Sequence, residues 1–234
     1  MKEIQIGGLV SFTTIDYPGK LAGVVFLVGC PLRCAYCSNS HLLDVRDGEY
    51  DPEKVFDWIK SRVGKLEAIV FSGGEALMQG DALLEYMQRV KNLGFNIGLH
   101  TNGFYPETLQ KASQFIDWIG LDFKAVNKDK YKELTGFDVA YQHMLKSLDI
   151  WLQTGKDMEV RMTCDPRYIS KQDLLQIAHE LHDKKVPKIA IQKYIPYKEE
   201  KDCPTTADER AQFFTDEKLK EEINSLFESV TWRE

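Results

Sequence analysis

Three cysteines, Cys30, Cys34 and Cys37, stand at C-x3-C-x2-C spacing just after the apolar run Val24 to Val28. Soft thiolates this close together select an iron–sulfur cluster or zinc. A four-iron cluster has four corners, so three cysteines leave one iron open to a cofactor. A structural zinc would instead need a fourth protein ligand, and His41 completes a Cys3His set. Disulfides are a third option, less suited to thiols clustered in a reducing compartment.

With aromatic Tyr36 before the last cysteine, this motif resembles the signature of the radical S-adenosylmethionine enzymes. The resemblance implies one [4Fe-4S] cluster on Cys30, Cys34 and Cys37. Its open iron would chelate the amino and carboxylate groups of S-adenosylmethionine, with Tyr36 near the adenine. Upstream, Asp16-Tyr17-Pro18-Gly19-Lys20 reads as a loop with turn chemistry at Pro18-Gly19. It resembles the lead-in of one branch of the anaerobic ribonucleotide reductase activating proteins. It is also similar to the Asp-x-Pro-Gly lead-in of the pyruvate formate-lyase activating enzymes. Both belong to the glycyl-radical-enzyme activating enzymes.

A net charge of −6 gives no electrostatic case for a nucleic-acid partner. The longest apolar run, Leu21 to Cys30, is ten residues, against the roughly 20 that span a bilayer. Nothing apolar follows Met1-Lys2-Glu3-Ile4-Gln5 as a secretion signal would require, so a cytoplasmic protein is expected. No linker or low-complexity stretch divides the chain, which reads as a single domain over 1–234.

Short β-rich runs alternate with amphipathic segments. Ala68 to Phe71 is a buried strand leading into Ser72-Gly73-Gly74-Glu75. Glycines after a strand let a ligand approach the backbone, and the carboxylate of Glu75 can take an ammonium. The stretch resembles the family loop that binds the methionine amino group, with Ala76 where proline is usual. The third strand, Phe95 to Leu99, ends in His100-Thr101-Asn102-Gly103. The resembled pyruvate formate-lyase activators have aspartate at the His100 position, so their monovalent cation is not carried over; Thr101 and Asn102 are expected to face the site. In Trp118 to Lys124, alternation puts Asp122 and Lys124 on one side, and the stretch resembles the family's Asp-Leu-Lys element. Arg161 interrupts the apolar strand Met158 to Thr163 and needs an anionic partner if buried; the resemblance sets it near the cofactor. Ser38 follows the cysteines directly. Lys198 stands in Pro196-Tyr197-Lys198 where the resembled enzymes carry histidine by the ribose. Asn127 to Phe137 reads as a charged surface excursion, and Asp216 as the cap of a last helix.

Six strands alternating with helices predict a parallel sheet with right-handed crossovers, and the resemblance implies a partial (β/α)6 TIM-type barrel. The motifs fall at or near strand C-terminal ends, where such folds gather their chemistry. By resemblance, the reduced cluster cleaves S-adenosylmethionine, and the resulting 5′-deoxyadenosyl radical takes a hydrogen atom from a glycine α-carbon in a partner glycyl radical enzyme. Ribonucleotide reductase is favoured as that partner by the lead-in alone. With no second cysteine-rich insert, the electron would come from a flavodoxin or ferredoxin. Two other readings stay open: a radical enzyme acting on a small molecule or nucleobase, similar to 7-carboxy-7-deazaguanine synthase, and a zinc-binding module.

Overall fold

The computed structural model describes residues 3–196 and 203–234. Lys198 lies outside them. Eight strands follow one another in chain order within one sheet: β1 (Ile6–Thr13), β2 (Ala22–Leu27), β3 (Ala68–Gly73), β4 (Asn96–Thr101), β5 (Trp118–Asp122), β6 (Asp157–Cys164), β7 (Lys188–Lys193) and β8 (Ser229–Arg233). The six predicted strands are β2 to β7. The strands at either end, β1 and β8, are additions that the sequence did not announce.

The chain divides into two compact units. The first comprises Met1–Leu32, Asn39–Gly120 and His143–Asp157. In it β1 runs antiparallel to β2, with Leu9 opposite Val25, and β2, β3 and β4 are parallel, with Val24, Val70 and Gly98 in register. Tyr17, from the Asp-Tyr-Pro-Gly-Lys loop, packs with Val24, Val70 and Trp118 in the core of this unit. Gly98 makes room for it, because a Cβ there would press on Tyr17 and Val70 at 3.0 Å.

Helix α1 (Pro52–Lys60) follows from its sequence: the Asp51 side chain accepts from the N–H groups of Glu53 and Lys54, and Pro52 supplies a preset φ. Val55 and Ile59 face inward, and Val63 lies beyond the helix end and is half exposed. In α2 (Asp81–Asn92) the buried positions are Leu83, Tyr86, Met87 and Val90. Leu83, Met87 and Val90 share one helical face, and that face is the buried one. Helix α3 is Pro106–Ala112.

The second unit comprises Arg33–Ser38, Leu121–Gln142 and Met158–Glu234. Strands β6, β7 and β8 are parallel, with Met162 level with Ile191 and Ile191 with Trp232. Helix α4 (Lys128–Thr135) corrects the expected surface excursion: Tyr131, Leu134 and Thr135 are buried. Helix α5 (Ala140–Thr154) belongs to the first unit from His143 on, and there Met144, Leu148 and Trp151 are buried. Helix α6 (Lys171–Asp183) starts at a capping box between Ser170 and Asp173. Short α7 (Ala207–Ala211) precedes α8 (Glu217–Leu226), which is capped by Asp216 as expected and packs on α6.

Candidate cofactor site

In the first unit the loops leaving β2, β3 and β4 come together. Gly29 and Cys30 follow β2, and their N–H groups donate to the carbonyls of Leu42 and Leu43. Gly74 N–H returns to the Leu27 carbonyl and Glu75 N–H to the Gly29 carbonyl, so the Gly-Gly-Glu loop is laced to the root of the cysteine loop. That lacing explains the two glycines. A Cβ on Gly73 would overlap the Leu27 backbone, and one on Gly74 the Gly29 carbonyl. Gly73 also has φ +123°, open to glycine at little cost. The glycines are required first by loop-on-loop packing.

Glu75 is buried. Its carboxylate accepts from Thr101 Oγ1 at 2.7 Å, from the Asn102 N–H at 2.8 Å and from the Leu77 N–H at 3.1 Å. Thr101 Oγ1 in turn accepts from the Gly103 N–H. A carboxylate held by three donors has a fixed orientation, as a receptor for an ammonium should. Asn102 donates through Nδ2 to Cys30 Sγ at 3.6 Å, which favours the thiolate of that buried cysteine. Burial raises the Tyr105 pKa, helped by the charges of Glu75 and Cys30. His100 is engaged elsewhere: its Nε2 meets the Asp16 carbonyl at 2.8 Å and its ring stands edge-on to Trp118.

In the second unit, α4 carries the cysteine loop. The Arg33 and Ala35 N–H groups donate to the carbonyls of Thr135 and Leu134, at the end of that helix, and Cys37 N–H closes a turn on Cys34. Burial raises the Cys34 pKa, the nearby Lys124 ammonium opposes the rise, and Cys37 and Asp122 add to it. Lys124 is itself buried, which alone would push its pKa down. Asp122, Cys34 and Tyr36 outweigh that and raise it well above the ordinary range, so the ammonium is held charged. Its Nζ donates to Asp122 Oδ2 at 3.0 Å and stands 5.9 Å from the Tyr36 ring centre. Tyr36 touches the rings of Tyr168 and Tyr194. The Arg167 guanidinium lies over both of these, pinned by fully buried Asp165. Arg161 on β6 accepts the Phe123 N–H at its carbonyl and donates from Nε to Glu159 Oε1 at 3.1 Å. Burial pulls the Arg161 pKa down, against the pull of Asp122 and Glu159. Ser38 is exposed in the turn after Cys37.

All five cysteines are free thiols. Among the described residues, no group of three or more His, Cys, Asp or Glu side chains is arranged to hold a metal ion. His41 is exposed in a 3₁₀ turn, Ser40–Leu42. Sequence reasoning missed Tyr168, Tyr194, Arg167, Glu159 and Arg233, which no local motif marks.

Residues 24–181 match the model of the Radical SAM superfamily, and the chain belongs to that superfamily. Its members use a [4Fe-4S] cluster and S-adenosylmethionine. The chemistry of the residues fits that pair: Cys30, Cys34 and Cys37 are soft donors at the spacing a cluster takes, and in the first unit Glu75 is a carboxylate fixed by hydrogen bonds, of the kind an ammonium takes. Over 185 residues the chain is 32% identical to a Methanocaldococcus jannaschii protein named as a glycyl-radical enzyme activating enzyme, covering 76% of this chain and 75% of the relative. It is 32% identical to the pyruvate formate-lyase-activating enzyme of Clostridium pasteurianum over 139 residues, 56% of this chain and 57% of that enzyme. The Escherichia coli K12 pyruvate formate-lyase 1-activating enzyme is 27% identical over 63% of this chain and 67% of its own length. Among solved structures, native anSMEcpe with bound AdoMet superposes with TM-score 0.66 at 14% identity, over 86% of this chain and 61% of that one. TYW1 with a lysine-pyruvate adduct bound gives 0.63 at 17%, over 91% and 76%. At such identities the likeness is one of fold, the partial barrel. Among the described residues, no helix is long and apolar enough to cross a membrane.

Proposed function

We propose that this protein is a cytoplasmic activating enzyme that installs a glycyl radical on a partner enzyme, with anaerobic ribonucleotide reductase as the favoured partner. The alignment with the Methanocaldococcus jannaschii relative, over 76% of this chain, carries the reading. The Asp16-Tyr17-Pro18-Gly19-Lys20 lead-in favours the reductase over pyruvate formate-lyase. Cys30, Cys34 and Cys37 would hold the cluster. Cluster and cofactor together supply reductive cleavage of a carbon–sulfur bond and abstraction of a hydrogen atom from a glycine α-carbon. The chain's own residues bind and orient. Glu75 offers its carboxylate to the methionine ammonium, fixed by Thr101 and the Asn102 N–H. Gly73 and Gly74 keep that loop against the cysteine loop. Lys124, aligned by Asp122, and Arg161 offer positive charge to the methionine carboxylate. Tyr36, wedged between Tyr168 and Tyr194, gives the nucleobase a rigid aromatic wall. By resemblance Lys198 offers a donor to a ribose hydroxyl or to the carboxylate, and Ser38 a polar side chain near the cluster or cofactor. Residues 1–234 act as one catalytic domain, and a flavodoxin or ferredoxin delivers the electron.

Anaerobic reconstitution with iron and sulfide, S-adenosylmethionine and a strong reductant, with each candidate partner in turn, tests the reading. The expected result is 5′-deoxyadenosine together with a glycyl doublet in electron paramagnetic resonance, on ribonucleotide reductase and not on pyruvate formate-lyase. A doublet on the lyase alone corrects the partner. Cofactor cleavage coupled only to a small molecule or nucleobase overturns the activating function, and a colourless zinc protein overturns the whole assignment.

A further inference from the structure

Strand β8 brings a second arginine to Arg161. Glu159 and Arg161 are two apart on β6 and so share a face. Both are buried, at 5% and 9% exposure. Arg161 Nε donates to Glu159 Oε1 at 3.1 Å. From the end of β8, Arg233 Nη2 donates to both oxygens of the same carboxylate, at 2.8 and 2.9 Å. Two guanidinium groups therefore share one buried carboxylate.

The charge count decides what this arrangement does. Glu159 with Arg161 alone would be a neutral closed pair, the ordinary resting state of a buried arginine. With Arg233 added, the triad carries one net positive charge; Asp122, which also acts on Arg161, is itself paired with Lys124 and leaves that count unchanged, and the Glu159 carboxylate is held from two sides. Arginine has a long flexible stem, so its guanidinium is aimed only where its partner is fixed. We infer that Arg233 is a positioning residue for the cofactor: by holding Glu159 it aims Arg161 and keeps the triad cationic toward the carboxylate of S-adenosylmethionine, the only anionic group of that molecule. This rests on the reading of Arg161 as a cofactor contact and adds the C-terminal strand to the binding apparatus.

The test uses full-length reconstituted protein and two probes, S-adenosylmethionine and 5′-deoxyadenosine, which lacks the carboxylate. Arg233→Met is expected to weaken S-adenosylmethionine binding by about tenfold, within the range of coupling between contacting charged groups. Binding of 5′-deoxyadenosine should stay within about twofold, and Arg233→Lys should restore part of the loss. Equal weakening of both probes, or unchanged S-adenosylmethionine affinity with only a lower melting temperature, overturns the inference and leaves Arg233 a structural residue. If Arg233→Met fails to fold, the two-probe ratio of Arg233→Lys decides. Arg161→Met separates the layers: should it weaken S-adenosylmethionine binding while Arg233→Met does not, only the positioning role falls. If Arg161→Met has no effect, the reading of Arg161 falls as well.

Discussion

The backbone N–H of Lys124 donates to the Tyr131 hydroxyl at 2.9 Å, and both residues are buried. The helix that carries Tyr131 also receives the Arg33 and Ala35 N–H groups on its last carbonyls. One short helix thus fixes the backbone beneath a buried ammonium and the loop bearing Cys34 and Cys37. Burial drives the Tyr131 pKa far above its ordinary value, so the hydroxyl stays neutral.

Tyr131→Phe removes the acceptor and leaves a buried N–H unpaired. That costs about 1–3 kcal/mol, a fall of roughly 2–10 °C in melting temperature for a chain of this size. Because the loss falls at the cysteine loop, iron incorporation on reconstitution should slow in parallel. Calorimetry and the iron-to-protein ratio check both. A melting point within 1 °C of wild type would show the bond to be dispensable.

Gly73→Ala and Gly94→Ala separate steric overlap from backbone strain. Both glycines have positive φ, +123° and +91°. Around Gly94 there is nothing within 4 Å of an added Cβ, whereas at Gly73 it would overlap the Leu27 backbone. Gly94→Ala should cost about 1–2 kcal/mol, the strain of a left-handed residue. Gly73→Ala adds a clash with backbone that cannot rotate away and should cost more than about 4 kcal/mol, or prevent folding. Urea titration ranks them, and equal midpoints would mean that the β3 loop moves freely from the cysteine loop.

The parts of the site that were legible are contiguous in the chain. Cys30, Cys34, Cys37 and Tyr36 form one loop, and Gly73, Gly74 and Glu75 another, so spacing alone marks them. Arg233 and Glu159 are 74 residues apart, and only the folded sheet makes them partners. Strand β1 was hidden because Gly7 and Gly8 are poor strand formers. Gly7 is glycine for a tertiary reason, since a Cβ there would collide with side chains of Leu42 and Val28. A surface helix or loop is what the polar sequence of α4 suggests, and its inward face was hidden: Tyr131 and Leu134 are too few apolar residues to signal one, yet both are buried. His100 could be read as a departure from the family, but not as the anchor of the Asp16 loop, because that role needs a carbonyl 84 residues away.

Thr101→Val tests whether the Glu75 carboxylate must be held to serve. The substitution keeps the shape and removes the 2.7 Å donor to Oε1. Glu75 retains the Asn102 and Leu77 N–H groups, but the buried Gly103 N–H loses its Thr101 acceptor, so stability should fall by about 1–3 kcal/mol. Cofactor affinity should fall about threefold to tenfold, because a looser carboxylate orders less well around an ammonium. Glu75→Gln removes the charge and should lose more affinity than Thr101→Val. Titration calorimetry with S-adenosylmethionine on reconstituted protein gives the order, and a reversed order would place the ammonium elsewhere.

Asp173 offers a pH test remote from the site. Its burial would raise the carboxyl pKa, but hydrogen bonds from Lys130 and Ser170 outweigh it and the net shift is downward. Lys130 Nζ stands 2.6 Å from Oδ2, with the acid mostly shielded and the lysine more than a third exposed. A folded-state pKa below the unfolded value means that the folded form favours the charged carboxylate. The stabilisation is then complete above the unfolded pKa of about 4 and is lost as pH falls through the folded value. Because solvent screens the lysine, the pair is worth under about 1 kcal/mol at neutral pH. Lys130→Met should therefore melt below wild type at pH 7 and converge on it towards pH 3. A gap that persists at pH 3 would assign the loss to packing of the lysine stem instead of to the charge on Asp173.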